Sequence, residues 1–476
     1  MEGILLTEGG QKVGFGHLSR CVALVQALQN FQIDTCIIVE GDESVISFFP
    51  KEVSFLIADW QNKYNLWKGK EIIVIDSYLA PLEIYEKISE EAEVPAFFDD
   101  FNRLQYPKGI VINNQEIHPP NHEERKYLSG NQFLPLRKAF WACPSHEIND
   151  EIKEVLISMG GGHPNLKFLK TLFTTVRQAL PNCNVHLITG KSVELPNHED
   201  FNNIIIHAGL KEDDIVHLFS QMDLAISSGG VMLNELVTCG LPTIAFLLAN
   251  NQLNNIQNLL IQELIGYTGD IHEQAFSKYL HNEINRFKNP DLRRHLSLLC
   301  QERMDGKGAL RIAKVIKTEY YKKTLTVRKA EARDMLAVYN LSNELEVRKV
   351  SFEDKEIVIQ EHEKWFREKI DNHNVLFLVS ELKGNFVGQI RFEVVNDNAI
   401  VGISVGQSYR GAGISMIMME KAISKFSIYF PKVKNIFAYI KKENERSVQY
   451  FERCGFRFVK ELTIKNHPSV EYVYQT

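Results

Sequence analysis

Short β-branched runs alternate with helix-length amphipathic segments through the first 320 residues. The strand candidates of the first part are ILL, IDTCIIVE, VSFLIA, EIIVID, VPAFFDD and GIVINN. The windows between them place apolar residues at i, i+3 and i+4, which is the spacing of an amphipathic helix. Because the strands of a helix-covered parallel sheet are buried on both faces, they appear as continuous apolar runs. This alternation therefore predicts an α/β fold built on a parallel sheet.

The pattern breaks around residues 135–152, where the chain becomes polar and contains a proline. A second series of strands follows: EVLISMG, NVHLITG, NIIIHAG, DLAISSGG and PTIAFLLA. After a charged helical segment, the runs FLVSE, GNFVGQIRFEVV and NAIVGISV are typical of an antiparallel meander that follows a strand and two helices. We predict two Rossmann-like domains, 1–145 and 146–323, facing each other across a cleft, and an α+β domain at 324–476.

Composition excludes several classes of protein. The longest apolar stretches, such as residues 241–249, are shorter than the roughly 20 residues that span a bilayer, and the start has no signal-peptide pattern. Seven cysteines without a CxxC pair indicate neither a disulfide framework nor a zinc cage. We expect a cytoplasmic protein without a membrane partner.

Charge is uneven along the chain. Residues 325–476 hold 23 Lys and Arg against 20 Asp and Glu, whereas the first 324 residues hold 31 against 40. No run of basic residues marks a nucleic-acid groove, so we expect no nucleic-acid partner. A mildly basic last domain suits a polyanionic small molecule.

The first glycine-rich turn is KVGFGHLSRC at residues 12–21, directly after the first strand. Gly14 and Gly16 let the backbone pass close to a ligand, and His17 falls at the start of the helix. Arg20 lies about one helical turn further on. In this position His17 is a candidate general base at the cleft, although the same turn is also compatible with a capping loop whose histidine only packs.

Two further turns of this kind lie in the second domain. MGGGHPN contains Gly161, and SSGGVMLNE contains Ser228 and Gly230. Exposed amides at such helix starts suit a diphosphate. Glu235, in the helix that follows, is either a ribose ligand or a solvated helix carboxylate. Asn251 and Gln252 form an amide cluster or a helix cap at the same sheet edge. No Asp-x-Asp pair follows a strand, so we predict a metal-independent site.

Together these residues resemble the UDP-sugar hydrolases of pseudaminic acid biosynthesis, relatives of the two-domain GT-B glycosyltransferase fold. The resemblance rests on KVGFGHLSRC, IVIDSY, FFDD, GNQFLPLRKAF, LISMGGGHPN, DLAISSGG with NE, and NNQ. It implies attack of water on the anomeric carbon of a UDP-linked 2,4-diacetamido-2,4,6-trideoxy sugar, with His17 activating the water. Tyr78 would line the sugar pocket. Where that family has hydroxyl residues after the GG, this chain has Val231 and Met232, so Ser227, Ser228 and main-chain amides would hold the phosphates.

A second site is indicated by GISVGQSYRGAGISMIMMEKAI at 402–423. Its Arg410-Gly411-Ala412-Gly413 turn places free amides at a helix start, suited to a pyrophosphate. With NERSVQYFERCGF thirty residues later, the region from 325 to 476 resembles the GCN5-related N-acetyltransferases (GNAT). The resemblance implies acetyl-CoA as co-substrate, held by amides from Gly411 through Ile414 to Ser415, by the strand around Ile403 to Val405, and by Asn444.

The last domain departs from that family at one catalytic position. The tyrosine that commonly reprotonates the leaving thiolate falls at Phe451, and Tyr450 lies about 100° away around the helix. His362 and Trp365 in EHEKWF resemble an acceptor-side segment, or alternatively form an amphipathic helix face.

The two halves predict a bifunctional enzyme that acetylates the 4-amino group of a UDP-linked amino sugar and then removes UDP. The alternatives are a GT-B glycosyltransferase fused to an acetyltransferase and a non-catalytic nucleotide-sugar platform. The sequence leaves the oligomeric state open.

Overall fold

The structure, a computed structural model, describes residues 1–11, 13–100, 102–115, 124–160, 165–189, 204–411 and 413–476. The chain forms two units, Met1–Ile316 and Lys317–Thr476, which are described separately below. Within the described residues, no helix has the length and apolarity that crossing a membrane requires.

A fully parallel sheet is built from the apolar runs of the first 130 residues. In the described residues it has seven strands, ordered β3-β2-β1-β4-β5-β6-β7. Their bounds are β1 Glu2–Gly9, β2 Asp34–Gly41, β3 Ser54–Ile57, β4 Ile72–Asp76, β5 Val94–Phe98, β6 Gly109–Asn113 and β7 Arg125–Ser129. The helices are α1, Gly16–Asn30, and α2, Leu82–Glu91. The strand order reverses between β1 and β4, which is where open α/β sheets bind ligands.

The second sheet of the same unit repeats this topology. It is also parallel, with the order β10-β9-β8-β11-β12-β13 among the described residues. Its strands are β8 Glu154–Ser158, β9 Asn184–Thr189, β10 Ile204–Ala208, β11 Leu224–Ser228, β12 Thr243–Leu247 and β13 Gly266–Asp270. Here the reversal lies between β8 and β11, so this sheet has a second ligand-binding edge.

Seven helices accompany the second sheet in the described part of the chain. They are α3 Leu166–Ala179, α4 Glu212–Ser220, α5 Val231–Thr238, α6 Leu253–Ile261, α7 Phe276–Phe287, α8 Pro290–Arg303 and α9 Gly308–Thr324. The two Rossmann-like sheets confirm the predicted fold class of this region. The two strands that the sequence analysis missed, β7 (RKYLS) and β13 (GYTGD), are short and lack a continuous apolar run, so no periodic signal marks them.

The segment that follows β7 packs into the second core. Leu134, Leu136 and Phe140 are buried together with Leu233 and Leu236 of α5. A Cβ on Gly308, at the start of α9, would lie 2.0 Å from the carbonyl oxygen of Leu134. Only glycine allows this close backbone approach, which joins α9 to the segment.

The second unit is a mixed sheet with helices. Among the described residues the order is β14-β15-β16-β17-β18-β20-β19. The strands are β14 Leu325–Lys329, β15 Val375–Leu382, β16 Asn385–Val395, β17 Asn398–Val405, β18 Asn435–Lys441, β19 Arg457–Ile464 and β20 His467–Gln475. Strands β15, β16 and β17 form the predicted antiparallel meander.

Five α-helices belong to this sheet in the described residues: α10 Met335–Ser342, α11 Leu345–Val350, α12 Ile359–Ile370, α13 Ile414–Tyr429 and α14 Glu445–Arg453. The prediction of two helices before the meander was wrong, because three are present. The extra helix, α11, has six residues and no buried position, so it carries no amphipathic signature in the sequence.

Strands β17 and β18 separate along their length. They pair in parallel only from Asn398 with Asn435 to Ile400 with Phe437. Beyond Ile400 the edge of β17 that faces β18 makes no strand pairing with it. A wedge-shaped opening therefore lies between the carboxyl halves of these two strands.

Candidate functional site

His17 and Asp76 meet at the switch point of the first sheet. His17 is the second residue of α1, and Asp76 is the last residue of β4. The Nδ1 atom of His17 lies 2.6 Å from Oδ1 of Asp76, and the two residues are 6% and 1% exposed. The Nη2 atom of Arg20 also lies 3.1 Å from Nδ1, but the carboxylate is closer and only accepts hydrogen bonds. We therefore assign the proton to Nδ1, which leaves Nε2 as the basic nitrogen.

Arg20 holds the carboxylates around this pair. Its Nε donates to Oδ2 of Asp76 at 2.9 Å and its Nη2 donates to Oδ1 at 2.6 Å. Its Nη1 reaches both oxygens of Asp100, at 2.5 and 2.7 Å. Arg20, predicted as a substrate ligand, is thus the cation that fixes Asp76 and Asp100. A bidentate guanidinium is suited to this role because its fork matches carboxylate geometry.

The electrostatics of the pair favour a charged complex. Burial lowers the pKa of His17, but the nearby charge and hydrogen bond of Asp76 outweigh it, so the net pKa is raised above the usual value of 6.5. Burial raises the pKa of Asp76, but the charges of Arg20 and His17 outweigh it and hold the net pKa below its usual value. Asp76 therefore stays ionised at neutral pH and stabilises a protonated His17.

Tyr78 lies beside the histidine at the cleft. Its side chain is 37% exposed, and its ring meets the His17 ring edge-on with centroids 4.3 Å apart. The hydroxyl donates to Asp100, and the backbone amide donates to Oε1 of buried Glu8 at 2.5 Å. Burial raises the pKa of Glu8. Tyr78 is therefore placed where a ligand at His17 would meet it.

The two glycines of the first turn have different surroundings. Gly14, at φ +94°, exchanges backbone hydrogen bonds with Gly10 at 2.7 and 3.1 Å, so its amide closes the turn. A Cβ on Gly16 would lie 3.8 Å from Cγ2 of Val231, the first residue of α5. The start of α1, and with it His17, therefore adjoins the start of α5.

The second glycine turn presents an unpaired hydroxyl. Ser228 is 1% exposed and its Oγ has no hydrogen-bond partner among the described residues, while a Cβ on Gly160 would lie 3.6 Å from it. The hydroxyl of Ser227, by contrast, donates to the carbonyl of Ser228 at 3.0 Å. The expectation that both serines hold phosphate is thus wrong for the Ser227 side chain, because its proton is already used.

The amide residues after β12 brace this turn. Oε1 of Gln252 accepts hydrogen bonds from the amides of Gly229 at 3.1 Å and Leu248 at 3.3 Å. Its Nε2 lies 3.9 Å from the Cβ position of Gly230, the N-cap of α5. Asn251 is exposed. The predicted ligand Gly161 lies outside the described residues.

Glu235 is neither solvated nor free. It is 2% exposed, and its Oε1 accepts hydrogen bonds from Arg137 Nε at 3.1 Å and Nη2 at 2.7 Å. The alternative of a solvated helix carboxylate is therefore wrong. Burial raises the pKa of Glu235 although the charge of Arg137 opposes it. No described residue donates to Oε2, so a ribose role for Glu235 remains a prediction.

Four residues of this site carried no assigned role in the sequence analysis: Glu8, Asp76, Asp100 and Arg137. Asp76 and Asp100 have one signal in common, since each is an acid at or just after the end of an apolar strand on the ligand-binding edge. No cluster of three or more His, Cys, Asp or Glu that suits a metal ion occurs among the described residues.

The glycine turn before α13, predicted to bind acetyl-CoA, has an open backbone at Gly411 and Gly413. Gly411 and Gly413 have φ of +76° and +78°, and a Cβ on either would meet no atom within 4 Å. Gly413 is the N-cap of α13, whose first residues are Ile414 and Ser415. These features fit a backbone that approaches a pyrophosphate closely. Ala412 lies outside the described residues.

Arg410 is not part of that open backbone. Its amide donates to Gln407 O at 3.3 Å, its Nε donates to Val405 O at 2.8 Å, and its Nη2 pairs with Glu344. The expectation that Arg410 offers a free amide is wrong. Its guanidinium instead joins the end of β17 to the start of α11.

The strand residues and the helix cap that were predicted to meet the cofactor lie on β17 and at the start of α14. Ile403 and Val405 lie on the part of β17 that has separated from β18. Asn444 caps α14, accepting a hydrogen bond from the Ser447 amide at 3.2 Å. Its amide nitrogen is not used in that cap.

Tyr450 has a structural partner. Its hydroxyl donates to Ser415 O at 2.9 Å, and burial raises its pKa well above the usual value of 10. Phe451 is 6% exposed and packs edge-on against Phe456. The local geometry thus uses Tyr450 to join α14 to α13.

His362 and Trp365 lie next to each other on α12. His362 is 2% exposed and its ring centroid lies 5.1 Å from that of Trp365. Its Nε2 has no hydrogen-bond partner within the described ranges. Trp365 is covered by the guanidinium of Arg391 at 4.9 Å. The alternative of an ordinary helix face does not explain a buried, unpaired ring nitrogen.

Both units of the chain are similar to known proteins. Residues 324–457 match the family described as acetyltransferase (GNAT) domain. An uncharacterized protein of Methanocaldococcus jannaschii is 22% identical, covering 96% of each chain. Spore coat polysaccharide biosynthesis protein SpsG of Bacillus subtilis is 22% identical over 66% of this chain and 98% of its own.

Two further similarities concern the last third of the chain. Spermidine N(1)-acetyltransferase of Vibrio cholerae is 25% identical over 28% of this chain and 78% of its own. The crystal structure of the Vibrio cholerae spermidine N-acetyltransferase with CoA and spermine covers 32% of this chain and 95% of its own, at 20% identity and a TM-score of 0.30. The chain therefore carries a GNAT acetyltransferase domain at residues 324–457, preceded by a region related to a spore coat polysaccharide biosynthesis protein.

Proposed function

We propose that this chain is a bifunctional nucleotide-sugar enzyme. Its GNAT domain transfers an acetyl group from acetyl-CoA to the 4-amino group of a UDP-linked 4-amino-4,6-dideoxy-N-acetylaltrosamine type of sugar. Its first unit then hydrolyses the UDP-2,4-diacetamido-2,4,6-trideoxy product to free sugar and UDP, a reaction sequence of pseudaminic acid biosynthesis. The relationship to a polysaccharide biosynthesis protein supports a glycan precursor as the substrate.

One observation carries the hydrolase half: the Asp76–His17 pair adjoins the glycine turn of the opposite sheet. Gly16 and Val231 bring the two helix starts into contact, and Ser228 contributes an unpaired hydroxyl beside the second start. Helix N-termini stabilise phosphate, and an ionised carboxylate orients and supports a histidine base. Hydrolysis of a UDP-sugar needs a base that activates water and a site that stabilises the leaving diphosphate. The two sides of this cleft would provide one of these each.

The hydrolytic step follows from this placement. Nε2 of His17 removes a proton from water as the water oxygen bonds to the anomeric carbon. The bond from that carbon to the β-phosphate oxygen breaks, and UDP leaves with the electron pair. Asp76 stabilises the imidazolium that forms, while the start of α5 and Ser228 stabilise the negative charge that develops on the phosphate.

In the acetyltransferase half, the turn from Gly411 to Ser415 would hold the pyrophosphate of acetyl-CoA, with Asn444 as a further contact. The opening beyond Ile400 leaves the edge of β17 around Ile403 for the pantetheine arm. The neutral sugar amine attacks the thioester carbonyl, the C–S bond breaks and CoA leaves as the thiolate. Because the pKa of His362 is lowered, first by burial and then by the charge of Arg348, this residue is neutral near pH 7 and is our candidate acceptor for the amine proton.

Mass spectrometry of the full-length chain with the 4-amino UDP-sugar tests the proposal. With acetyl-CoA present, the acetylated UDP-sugar should form and give way to free diacetamido sugar and UDP. Without acetyl-CoA, the 4-amino UDP-sugar should persist. Transfer of the sugar to an added acceptor in place of water would favour a glycosyltransferase, and no consumption of the UDP-sugar in either reaction would contradict the proposal.

A further inference from the structure

The opening between β17 and β18 has one face that is lined by polar groups. Register places Gly402 opposite Arg391 and Ser404 opposite Gln389, so these four residues point to one side of the sheet. Arg391 contacts Trp365, which identifies this side as the face covered by α12. Lys441, the last residue of β18, lies on the same face because Ile400 pairs in parallel with Phe437, and Lys441 lies as many positions beyond Phe437 as Ser404 lies beyond Ile400.

Helix α11 bridges the mouth of the opening. At its start, Glu344 pairs with Arg410 and accepts the Gln407 amide at 3.5 Å, both just beyond β17. At its other end, Lys349 O accepts a hydrogen bond from Lys441 Nζ at 3.3 Å. Helix α11 therefore spans the opening from the end of β17 to the end of β18, and the space under α11 is the part of the opening that it covers.

Two buried polar atoms on this face have no partner in the part of the chain that the structure describes. They are His362 Nε2 and Gln389 Oε1, and their residues are 2% and 7% exposed. An unpaired buried polar group destabilises a fold, so such atoms are rarely left without a role. Their presence together on one face of the opening marks a site for a polar ligand.

The charges around this site are positive. Lys441 is 5% exposed and pairs with no carboxylate among the described residues. Arg348 donates instead to backbone carbonyls, those of Ser342 at 2.5 Å and Glu353 at 3.1 Å. A buried cation without a counter-ion is unfavourable until an anion joins it.

The carboxylates on the same face are already neutralised. Glu393 pairs with Lys369 and Arg391, each at 2.6 Å. Glu471 lies 4.0 Å from Lys460. A polyamine acceptor needs unpaired carboxylates at its ammonium groups, and these two carboxylates are paired.

From this arrangement we infer that the space under α11 is an acceptor site for a phosphorylated amine, in which Lys441 binds the phosphate of a sugar nucleotide. This inference rests on the proposed function and specifies how its acetyltransferase half selects a UDP-linked acceptor. Lys441 is a binding residue here, and it takes no part in the transfer of the acetyl group.

The test is the rate of CoA thiol release by the full-length chain with three acceptors: the 4-amino UDP-sugar, the same amino sugar without nucleotide, and spermidine. Lys441→Met should raise KM for the UDP-sugar at least about tenfold and leave KM for acetyl-CoA unchanged. Its KM for the nucleotide-free sugar should stay that of the parent. Lys441→Arg should recover most of the UDP-sugar affinity because it keeps the charge.

Lys442 provides a matched control. It is the adjacent residue, is exposed, and pairs with Glu461 at 2.7 Å, so Lys442→Met should match the parent with every acceptor. The unchanged KM for acetyl-CoA reports that Lys441→Met is folded.

The outcomes separate this inference from the proposed function. If the parent prefers the UDP-sugar but Lys441→Met has the same KM for it, the phosphate site is wrong and the function stands. Preference of the parent for spermidine, or for the nucleotide-free sugar, overturns both, as does acetylation of none of the three.

Discussion

The Nδ1 atom of His17 is held 2.6 Å from the Asp76 carboxylate, and this contact fixes which nitrogen of the ring is basic. His17 is the second residue of α1, which follows β1, and Asp76 ends β4, the strand that pairs with β1 at the reversal point of the first sheet. Because Arg20 grips both oxygens of Asp76, the carboxylate cannot turn away from the ring. The ring orientation is therefore a property of the fold, and several expected outcomes depend on it.

Asp76→Asn should reduce kcat for UDP release by about 10²–10⁴-fold. In the parent, His17 must be neutral to act, so activity should be lost as pH falls through a pKa above 6.5. Removing the anion lowers the pKa of His17, so the acid limb of the variant should move to lower pH. A pH–rate profile of UDP release measures both effects. Asp34→Asn, at an exposed strand position, is the control, and an unmoved acid limb in Asp76→Asn would refute the pairing.

His17 and Asp76 also make the free energy of unfolding depend on pH, and their contributions are lost at opposite ends of the pH range. The raised pKa of His17 contributes stability below about pH 6.5 that is lost as pH rises through its folded-state value. The lowered pKa of Asp76 contributes stability above about pH 3.9 that is lost as pH falls. Denaturant titrations of His17→Ala against the parent should therefore differ more at pH 5 than at pH 9. An equal difference at both pH values would argue against the charged pair.

Ser228 and Ser227 form a natural matched pair for the diphosphate site. Ser228→Ala removes a hydroxyl that has no partner among the residues the structure describes, so it should leave stability unchanged and raise KM for the UDP-sugar about tenfold. Ser227→Ala removes a hydrogen bond to Ser228 O, so it should cost about 1 kcal/mol of stability and leave KM unchanged. Initial rates measure KM, and thermal unfolding measures the stability of each variant. The reverse pattern would place the phosphate elsewhere.

The sheets were predictable because their strands are long apolar runs, and all the strands quoted for the first two sheets are present. The sequence did not predict which residues that are distant in the chain contact each other. Nothing local links His17 to Asp76, 59 positions apart, or Glu235 to Arg137, 98 positions apart. Ser227 and Ser228 are adjacent and chemically identical, yet only tertiary packing leaves one hydroxyl free.

Gly413→Ala tests the acetyl-CoA turn independently of the hydrolase. A residue other than glycine in the left-handed region costs about 1–2 kcal/mol, and the added methyl would occupy the open approach to the pyrophosphate. We expect KM for acetyl-CoA to rise tenfold or more, while UDP release from the diacetamido substrate stays at the parental rate. Gly384→Ala, with φ +77° and equally open space in the β15–β16 turn, is the control for strain alone. Equal KM values in the two variants would remove Gly413 from the cofactor site.

Tyr450→Phe separates a structural hydroxyl from an acid. Since this hydroxyl bonds to Ser415 O, its loss should lower stability by about 1 kcal/mol and leave the pH dependence of acetyl transfer unchanged. Denaturant unfolding and the pH–rate profile of CoA release provide the two readouts. A drop of 100-fold in kcat would instead identify Tyr450 as the proton donor to the thiolate.

The contrast between Tyr450 and Arg410 shows where motif reasoning failed in the second unit. The helical angle places Tyr450 away from the position of Phe451, but it does not reveal that Ser415 O lies in reach of its hydroxyl. Arg410 belongs to a turn of the expected composition, yet Glu344, 66 residues earlier, draws its guanidinium to α11. Both outcomes depend on elements that are distant in sequence.

The most direct test of the central claim is hydrolysis of the UDP-diacetamido sugar in heavy-oxygen water, comparing the parent with His17→Ala. The account predicts one labelled oxygen on the released free sugar, unlabelled UDP, and a loss of at least 100-fold in rate for His17→Ala. Label on the phosphate, or release of UDP by His17→Ala at the parental rate, would contradict it.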